Sequence, residues 1–239
     1  FQDKDNNIWL GTNGGGVCVL TPKMNFNTVG YHPESGKGLT NTRLMSVVDD
    51  REGNLWLGTI GSGLFWSPDR ENFYQVEYPI VNKARFFIIK YLYEDNEGKI
   101  WAGTNIGTFL IESIDGVPQM IRSDVKYPSG NFGIQVVSFL DDENLFFSGT
   151  LSGGLYLSDK NNSYCFVKRL IKEDKKSGDL RSNRISYLLK DSKDRIWIGT
   201  YNGLMRYDWS NLYSFDEAEG LLDKRIHSLL EDDSGDIWI

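Results

Sequence analysis

Cysteine, histidine and proline are all scarce in this chain: two cysteines, two histidines and six prolines among 239 residues. Cys18 and Cys165 lie far apart, with no CxxC and no histidine cluster beside them. That speaks against a thiolate zinc site and makes them read as free buried thiols, small hydrophobes of the core. His32 and His227 stand in different parts of the chain, and no nucleophile motif accompanies either. No apolar run approaches the roughly eighteen residues that a membrane-spanning helix needs. A basic tract is missing too; the densest stretch, Lys168 to Lys176, also carries Glu173 and Asp174. With a net charge of −7, a nucleic-acid backbone is disfavoured as a partner. The first residue is Phe1 rather than Met, so the chain reads as cut from a longer one and the lack of a signal peptide carries no weight.

Glycine and aromatics are present in quantity, and they recur. Ile8-Trp9-Leu10-Gly11-Thr12 returns as Leu55-Trp56-Leu57-Gly58-Thr59, as Ile100-Trp101-Ala102-Gly103-Thr104 and as Ile196-Trp197-Ile198-Gly199-Thr200. A degenerate copy reads Phe146-Phe147-Ser148-Gly149-Thr150, and the last residues, Ile237-Trp238-Ile239, begin another. The tryptophan position therefore advances by 47, 45, 46, 50 and 41 residues. Six residues before it stands an aspartate each time: Asp3, Asp50, Asp95, Asp141, Asp191 and Asp232. Three before it stands a turn-former tolerant of positive φ: Asn6, Gly53, Gly98, Asn144, Asp194 and Gly235.

An apolar run precedes each aspartate, as in Leu44 to Val48 and Ile185 to Leu189. A second glycine turn and strand follow each Gly-Thr, as in Gly63-Leu64-Phe65-Trp66, and a weaker fourth strand follows that, as in Phe73 to Val76 and Tyr164 to Val167. Four short antiparallel strands per period of about 45 residues is the pattern of a propeller blade. The expected fold is all-β, a β-propeller of four-stranded antiparallel blades with negligible helix. Its expected divisions are a partial blade at 1–38, blades at about 39–79, 80–128, 129–178 and 179–219, and a partial blade at 220–239. The tryptophan is expected to pack blade on blade, the Gly two residues on to make room for a bulky neighbour or a backbone approach, and the aspartate to bond within its hairpin.

These repeats resemble those of two-component regulator propellers. The family pattern, Asp-x-x-Gly-x-Ile/Leu-Trp-x-Gly-Thr followed by Gly-Leu and an aromatic, is matched closely from Leu39 to Phe65 and from Leu180 to Tyr207. Phe147 departs from it by lacking the tryptophan, and Gly107-Thr108-Phe109 by lacking the leucine. The resemblance implies the periplasmic sensor region of an inner-membrane hybrid two-component protein, as in gut Bacteroidetes. Such regions bind carbohydrate fragments and signal, through parts beyond this chain, to a cytoplasmic histidine kinase. It implies a homodimer, and contact with the membrane only through a segment outside this chain. Family members usually carry two seven-bladed propellers, so about five to six repeats are expected to be a piece of one.

Propeller ligands sit on the loops that enter the innermost strand and on those between the second and third strands. A basic residue recurs just before the inner strand, at Arg43, Arg85, Arg184 and Arg225, and could grip a carboxylate. Solvated loop charge or salt bridges to the repeat aspartates are the plainer alternative. Tyr31, His32, Phe86, Phe87, Phe132 and Tyr201 stand in or beside the same loops, where an aromatic could stack on a sugar ring or simply pack. The expected ligand contacts are Arg43, Arg184, Arg225, Tyr201 and Asn202, with an oligosaccharide or other small ligand as partner. No catalytic residue, metal or cofactor is expected. Asp3-Lys4-Asp5-Asn6-Asn7 resembles a calcium loop but lacks its later bidentate acid, because Gly14 stands there. Two other readings fit the fold: a propeller enzyme, for which Glu34, Asp124 and Glu173 are the available loop acids, and a protein-docking scaffold.

Overall fold

The computed structural model describes residues 2–3, 5–11, 17–23, 26–29, 39, 43–78, 87–123, 125–128, 134–172, 180–215, 217 and 220–239. By its internal contacts the chain divides into two compact units, Phe1–Ser123 and Asp124–Ile239. The first holds a three-stranded sheet, β1 (Ile8–Gly11), β2 (Val17–Leu20) and β3 (Phe26–Val29). Two four-stranded sheets follow: β4 (Leu44–Asp49), β5 (Leu55–Thr59), β6 (Leu64–Ser67), β7 (Tyr74–Gln75), then β8 (Ile89–Glu94), β9 (Ile100–Thr104), β10 (Gly107–Ile114), β11 (Val117–Arg122). The second unit holds β12 (Val136–Asp141), β13 (Leu145–Thr150), β14 (Leu155–Asp159), β15 (Cys165–Leu170), then β16 (Ile185–Lys190), β17 (Ile196–Thr200), β18 (Gly203–Tyr207), β19 (Leu212–Phe215), and a final pair, β20 (Leu230–Glu231) and β21 (Ile237–Trp238). Each sheet is an antiparallel meander in chain order, which makes it a propeller blade. Among the described residues the helix content is 3₁₀ only, the turn Lys160–Asn162 and Glu217.

Neighbouring blades within each unit meet face to face. β4 adjoins β8, and β12 adjoins β16, which marks the first strand of each blade as the innermost. The second strands β5, β9 and β17 are buried at every position, because both of their faces are covered. Trp9 packs with Leu55, Leu57 and Phe65 of the next blade, Trp56 with Ile89, Leu92 and Phe109, Phe147 with Ile185, Leu188 and Met205, and Trp197 with Ile226 and Leu229. The glycine two residues on fits the next blade in the same way. A Cβ on Gly58 would stand 2.6 Å from Ile89 Cγ2, on Gly149 2.8 Å from Ile185 Cγ2, and on Gly199 2.8 Å from Ile226 Cγ2. The glycine is the socket and a β-branched residue of the next inner strand is the knob, as expected.

The aspartate does more than its hairpin requires. Asp50 Oδ1 accepts the Asn54 N–H at 2.8 Å, and its Oδ2 accepts the Trp56 indole Nε1–H at 2.7 Å. The indole bond recurs at 2.7 Å for Asp3–Trp9 and Asp95–Trp101, 2.8 Å for Asp191–Trp197 and 2.6 Å for Asp232–Trp238. Burial alone would raise the Asp3 and Asp191 carboxyls. The bonds from the indole and from neighbouring N–H groups outweigh it, and both sit below the ordinary value. The turn closes through an N–H three residues on, and that residue takes positive φ: 61° at Asn6, 93° at Gly53, 81° at Gly98, 59° at Asp194 and 80° at Gly235. Asn144 breaks the rule, because its hairpin is tighter, closed by Asp142 N–H on the Leu145 carbonyl at 2.8 Å. There the tryptophan is Phe147 and offers no N–H; Lys160 Nζ takes its place, 2.7 Å from Asp141 Oδ2.

Among the described residues the threonine of each Gly-Thr is buried, and its hydroxyl donates to the glycine carbonyl across the next turn. Thr59 reaches Gly63 at 2.9 Å, and Thr104, Thr150 and Thr200 reach Gly107, Gly154 and Gly203 at 2.8 Å. Neither cysteine forms a disulfide, and Cys18 and Cys165 are half-buried rather than enclosed.

Candidate functional site

In the second unit, backbone pairing brings the start of one inner strand to the turn between the second and third strands. The Tyr201 N–H donates to the Arg184 carbonyl at 3.1 Å, immediately before β16. The Gly203 N–H donates to the Lys224 carbonyl at 2.6 Å, and the Ile226 N–H to the Thr200 carbonyl at 3.0 Å. Gly203 has φ of 114°, which a side chain would strain, so the turn can close only with glycine here. Arg184 and Arg225 are thereby delivered to Tyr201 from two successive repeats.

Both guanidiniums lie over the tyrosine ring, the Arg184 Cζ 4.1 Å and the Arg225 Cζ 5.1 Å from its centroid. The two arginines are exposed and the tyrosine half-buried. Neither guanidinium pairs with a carboxylate among the described residues. Asp223, the nearest acid in sequence to Arg225, accepts that residue's backbone N–H at 2.9 Å instead. Asn202 is exposed beside them, its N–H on Thr200 Oγ1 at 3.0 Å and its Nδ2–H on the Arg181 carbonyl at 3.3 Å, which leaves Oδ1 facing outward chemistry as an acceptor. Four of the five expected ligand contacts, Arg184, Tyr201, Asn202 and Arg225, thus form one cluster.

Arg43 belongs to the first unit. It is exposed, and its carbonyl accepts the Ile60 N–H at 2.9 Å, the same backbone bond that Arg184 makes with Tyr201. Following that bond around the repeats corrects the expected run of arginines. Ile88 accepts from Asn105, and Gln135 accepts from Leu151, so these residues hold the position in their blades. Arg85 is three residues away from it in sequence and lies outside the described residues, as do Tyr31, His32, Phe86, Phe132, Glu34, Asp124 and Glu173. Phe87 is core: it is 4% exposed, stacked on Tyr78 at 4.7 Å and edge-on to Phe109 at 5.7 Å. The Asp3 carboxylate is taken up by Trp9, Asn7 and Arg70.

Lys90 was not expected. It sits at the register shift between Ile89 and Tyr91 in β8, one of the bulges that interrupt β4, β8, β12 and β16 near their starts. Burial pulls its ammonium below the ordinary lysine value. A bulge re-aims one side chain, and nothing in the local sequence marks it.

The two-component regulator propeller model matches the chain at residues 38–61 and 179–202. Among solved structures, the extracellular domain of the hybrid two component system BT3049 from B. thetaiotaomicron is similar over 100% of this chain, with 26% identity and a TM-score of 0.80. The extracellular domain of BT4673 from the same organism is similar over 98%, with 18% identity and a TM-score of 0.68. The chain spans 30% and 37% of the lengths of these two. Virginiamycin B lyase from Staphylococcus aureus shares the fold, with 11% identity, a TM-score of 0.69, 100% of this chain covered and 75% of its own. Among curated proteins no sequence matches. Two of the repeats, at residues 38–61 and 179–202, thus match the two-component regulator propeller model, and each of them holds the indole–carboxylate bond.

Proposed function

We propose that this chain is part of a ligand-sensing input region, periplasmic, of a hybrid two-component signalling protein. It binds a carbohydrate fragment at the Arg184–Tyr201–Arg225 cluster and passes the occupancy of that site, through a homodimer, to a histidine kinase. The observation that carries this reading is the likeness to the BT3049 extracellular domain along the whole chain. The site supports it: exposed, preorganised donors bind a ligand without any bond being made or broken. The repeat aspartates, the obvious acids for hydrolysis, are engaged by indoles. Signalling then requires only that ligand favour one of two arrangements of the dimer, by the difference in its affinity for them. Among the described residues, no helix is long and apolar enough to cross a membrane.

The lyase neighbour keeps an enzyme reading alive as a fold-level alternative. Calorimetric titration of the intact extracellular region with a glycan panel, followed by chromatography of the recovered glycan, separates the two. The sensor reading expects heat of binding and unchanged glycan. Cleaved glycan would overturn it in favour of an enzyme, and no heat with any glycan would remove the carbohydrate.

A further inference from the structure

We infer that the Arg184–Tyr201–Arg225 stack is an oxyanion seat, receiving a carboxylate or sulfate group of the ligand between its two guanidiniums; this rests on the reading of the chain as a ligand-binding input region. Each guanidinium brings one positive charge and a planar fork of N–H donors. Sharing one ring at 4.1 and 5.1 Å, their central carbons are at most about 9 Å apart, within roughly one Debye length at physiological salt. Their repulsion is therefore only partly screened, and no carboxylate among the described residues forms an ion pair with either guanidinium, the Asp223 carboxylate being turned to the Arg225 backbone N–H. Contact with the ring leaves guanidinium N–H groups available for two oxygens of one anion, and no carboxylate among the described residues takes them.

The same contacts argue against a neutral sugar as the principal partner. With Arg184 at stacking distance, that face of Tyr201 is closed to a sugar ring. A neutral hydroxyl would accept one or two of the N–H bonds and leave two adjacent charges uncompensated. An oxyanion accepts more bonds and cancels the repulsion. The backbone bonds that hold the pair, Tyr201 N–H to Arg184 and Gly203 N–H to Lys224, come from the scaffold, so the seat exists before the ligand arrives.

Two arms on the intact extracellular region test this. In the first, sodium sulfate and sodium glucuronate are titrated while the arginine side-chain Nε–H resonances are followed by NMR. Saturable shifts of the Arg184 and Arg225 signals are expected, weaker at high salt and absent in the Arg184→Gln/Arg225→Gln double variant. In the second, acidic oligosaccharides are titrated calorimetrically against their carboxyl-reduced or desulfated counterparts. The acidic member of a pair is expected to bind at least tenfold more tightly, with Arg184→Gln removing most of that preference and Arg184→Lys restoring part of it. Which of the two chemistries, carboxylate or sulfate, is preferred shows in the same arm. Anion shifts without any glycan binding would uphold the seat and overturn the carbohydrate reading. A neutral glycan that binds equally well to the double variant, with no anion shifts, would overturn the seat and leave the sensor reading standing. Absence of both signals would overturn both. Among the described residues neither arginine side chain supports the fold through a hydrogen bond, and a thermal melt of each variant, expected to match the parent, checks that lost binding is not lost folding.

Discussion

At the residue scale the decisive contact is an indole N–H on a buried carboxylate. The fixed separation of six residues between aspartate and tryptophan was plain in the sequence, but its meaning was not. An aspartate ahead of a turn accounts for itself as an Asx-type cap worth about 1 kcal/mol, and nothing in the spacing shows that its second oxygen reaches the tryptophan. The structure raises the expected cost. Asp50→Ala leaves a buried indole N–H and the Asn54 amide without their acceptor, so it is expected to destabilise by about 2–3 kcal/mol in denaturant unfolding of the intact extracellular region. Trp56→Ala, which also removes the contact with Ile89 and Phe109, is expected to cost about 3–5 kcal/mol. The double variant should cost less than the two together, because either change alone breaks the shared bond. A neutral Asp50→Ala would show the bond to be incidental. The blade without a tryptophan makes the same point from the other side. Asp141 is retained beside Phe147, and the missing N–H is replaced by Lys160, whose side chain is 5% exposed.

The same residues give the fold an acid dependence. The Asp3 and Asp191 carboxyls are lowered in the folded chain: burial opposes ionisation, but the indole and amide bonds favour it more. A carboxyl whose folded pKa lies below its unfolded one stabilises the fold fully above the unfolded value, about pH 4, and that contribution disappears as pH falls through the folded value. Stability is thus expected to decline on acidification below about pH 4. Asp191→Asn should flatten that decline while lowering stability at neutral pH. An unchanged slope in the variant would mean that other carboxylates govern it.

At the scale of the element, the blade is a unit that cannot bury both of its faces alone. The second strands β5 and β17 are covered on both sides, and Gly58, Gly149 and Gly199 each receive an isoleucine from the blade that follows. Gly58→Ala is expected to destabilise by about 1–3 kcal/mol, since the new methyl would overlap Ile89 Cγ2. Combining it with Ile89→Ala should recover part of that loss, which unfolding of the single and double variants would reveal. Additive costs would contradict the knob-and-socket account. This much was legible: the period, the strand order and the need for a small residue all follow from repeated glycine between apolar strands. The bulge at the start of each inner strand was not, because it depends on how the strand curves against its neighbours rather than on any one residue type. Nor was the tighter hairpin at Asp142, where Asn144 looks like the other turn-formers but is not used as one.

At the scale of the whole molecule, the repeat and its function pull in different directions. A position occupied in every blade is there to hold blades together, and the site appears where that regularity breaks. Arginine stands before the inner strand at Arg43, Arg184 and Arg225, but Ile88 and Gln135 hold the equivalent places. Only at Tyr201, among the described residues, do two such arginines from successive repeats meet over one aromatic ring. The sequence named those residues but had no means of showing that they converge, since their meeting depends on the backbone bonds from Tyr201 and Gly203 to the neighbouring segments. Hydrogen exchange followed by mass spectrometry, on the intact extracellular region with and without an acidic glycan pool, tests this most directly. Slowed exchange in the segments carrying Arg184, Tyr201–Asn202 and Arg225 is the expected result. Protection elsewhere, with these segments unchanged, would contradict the account.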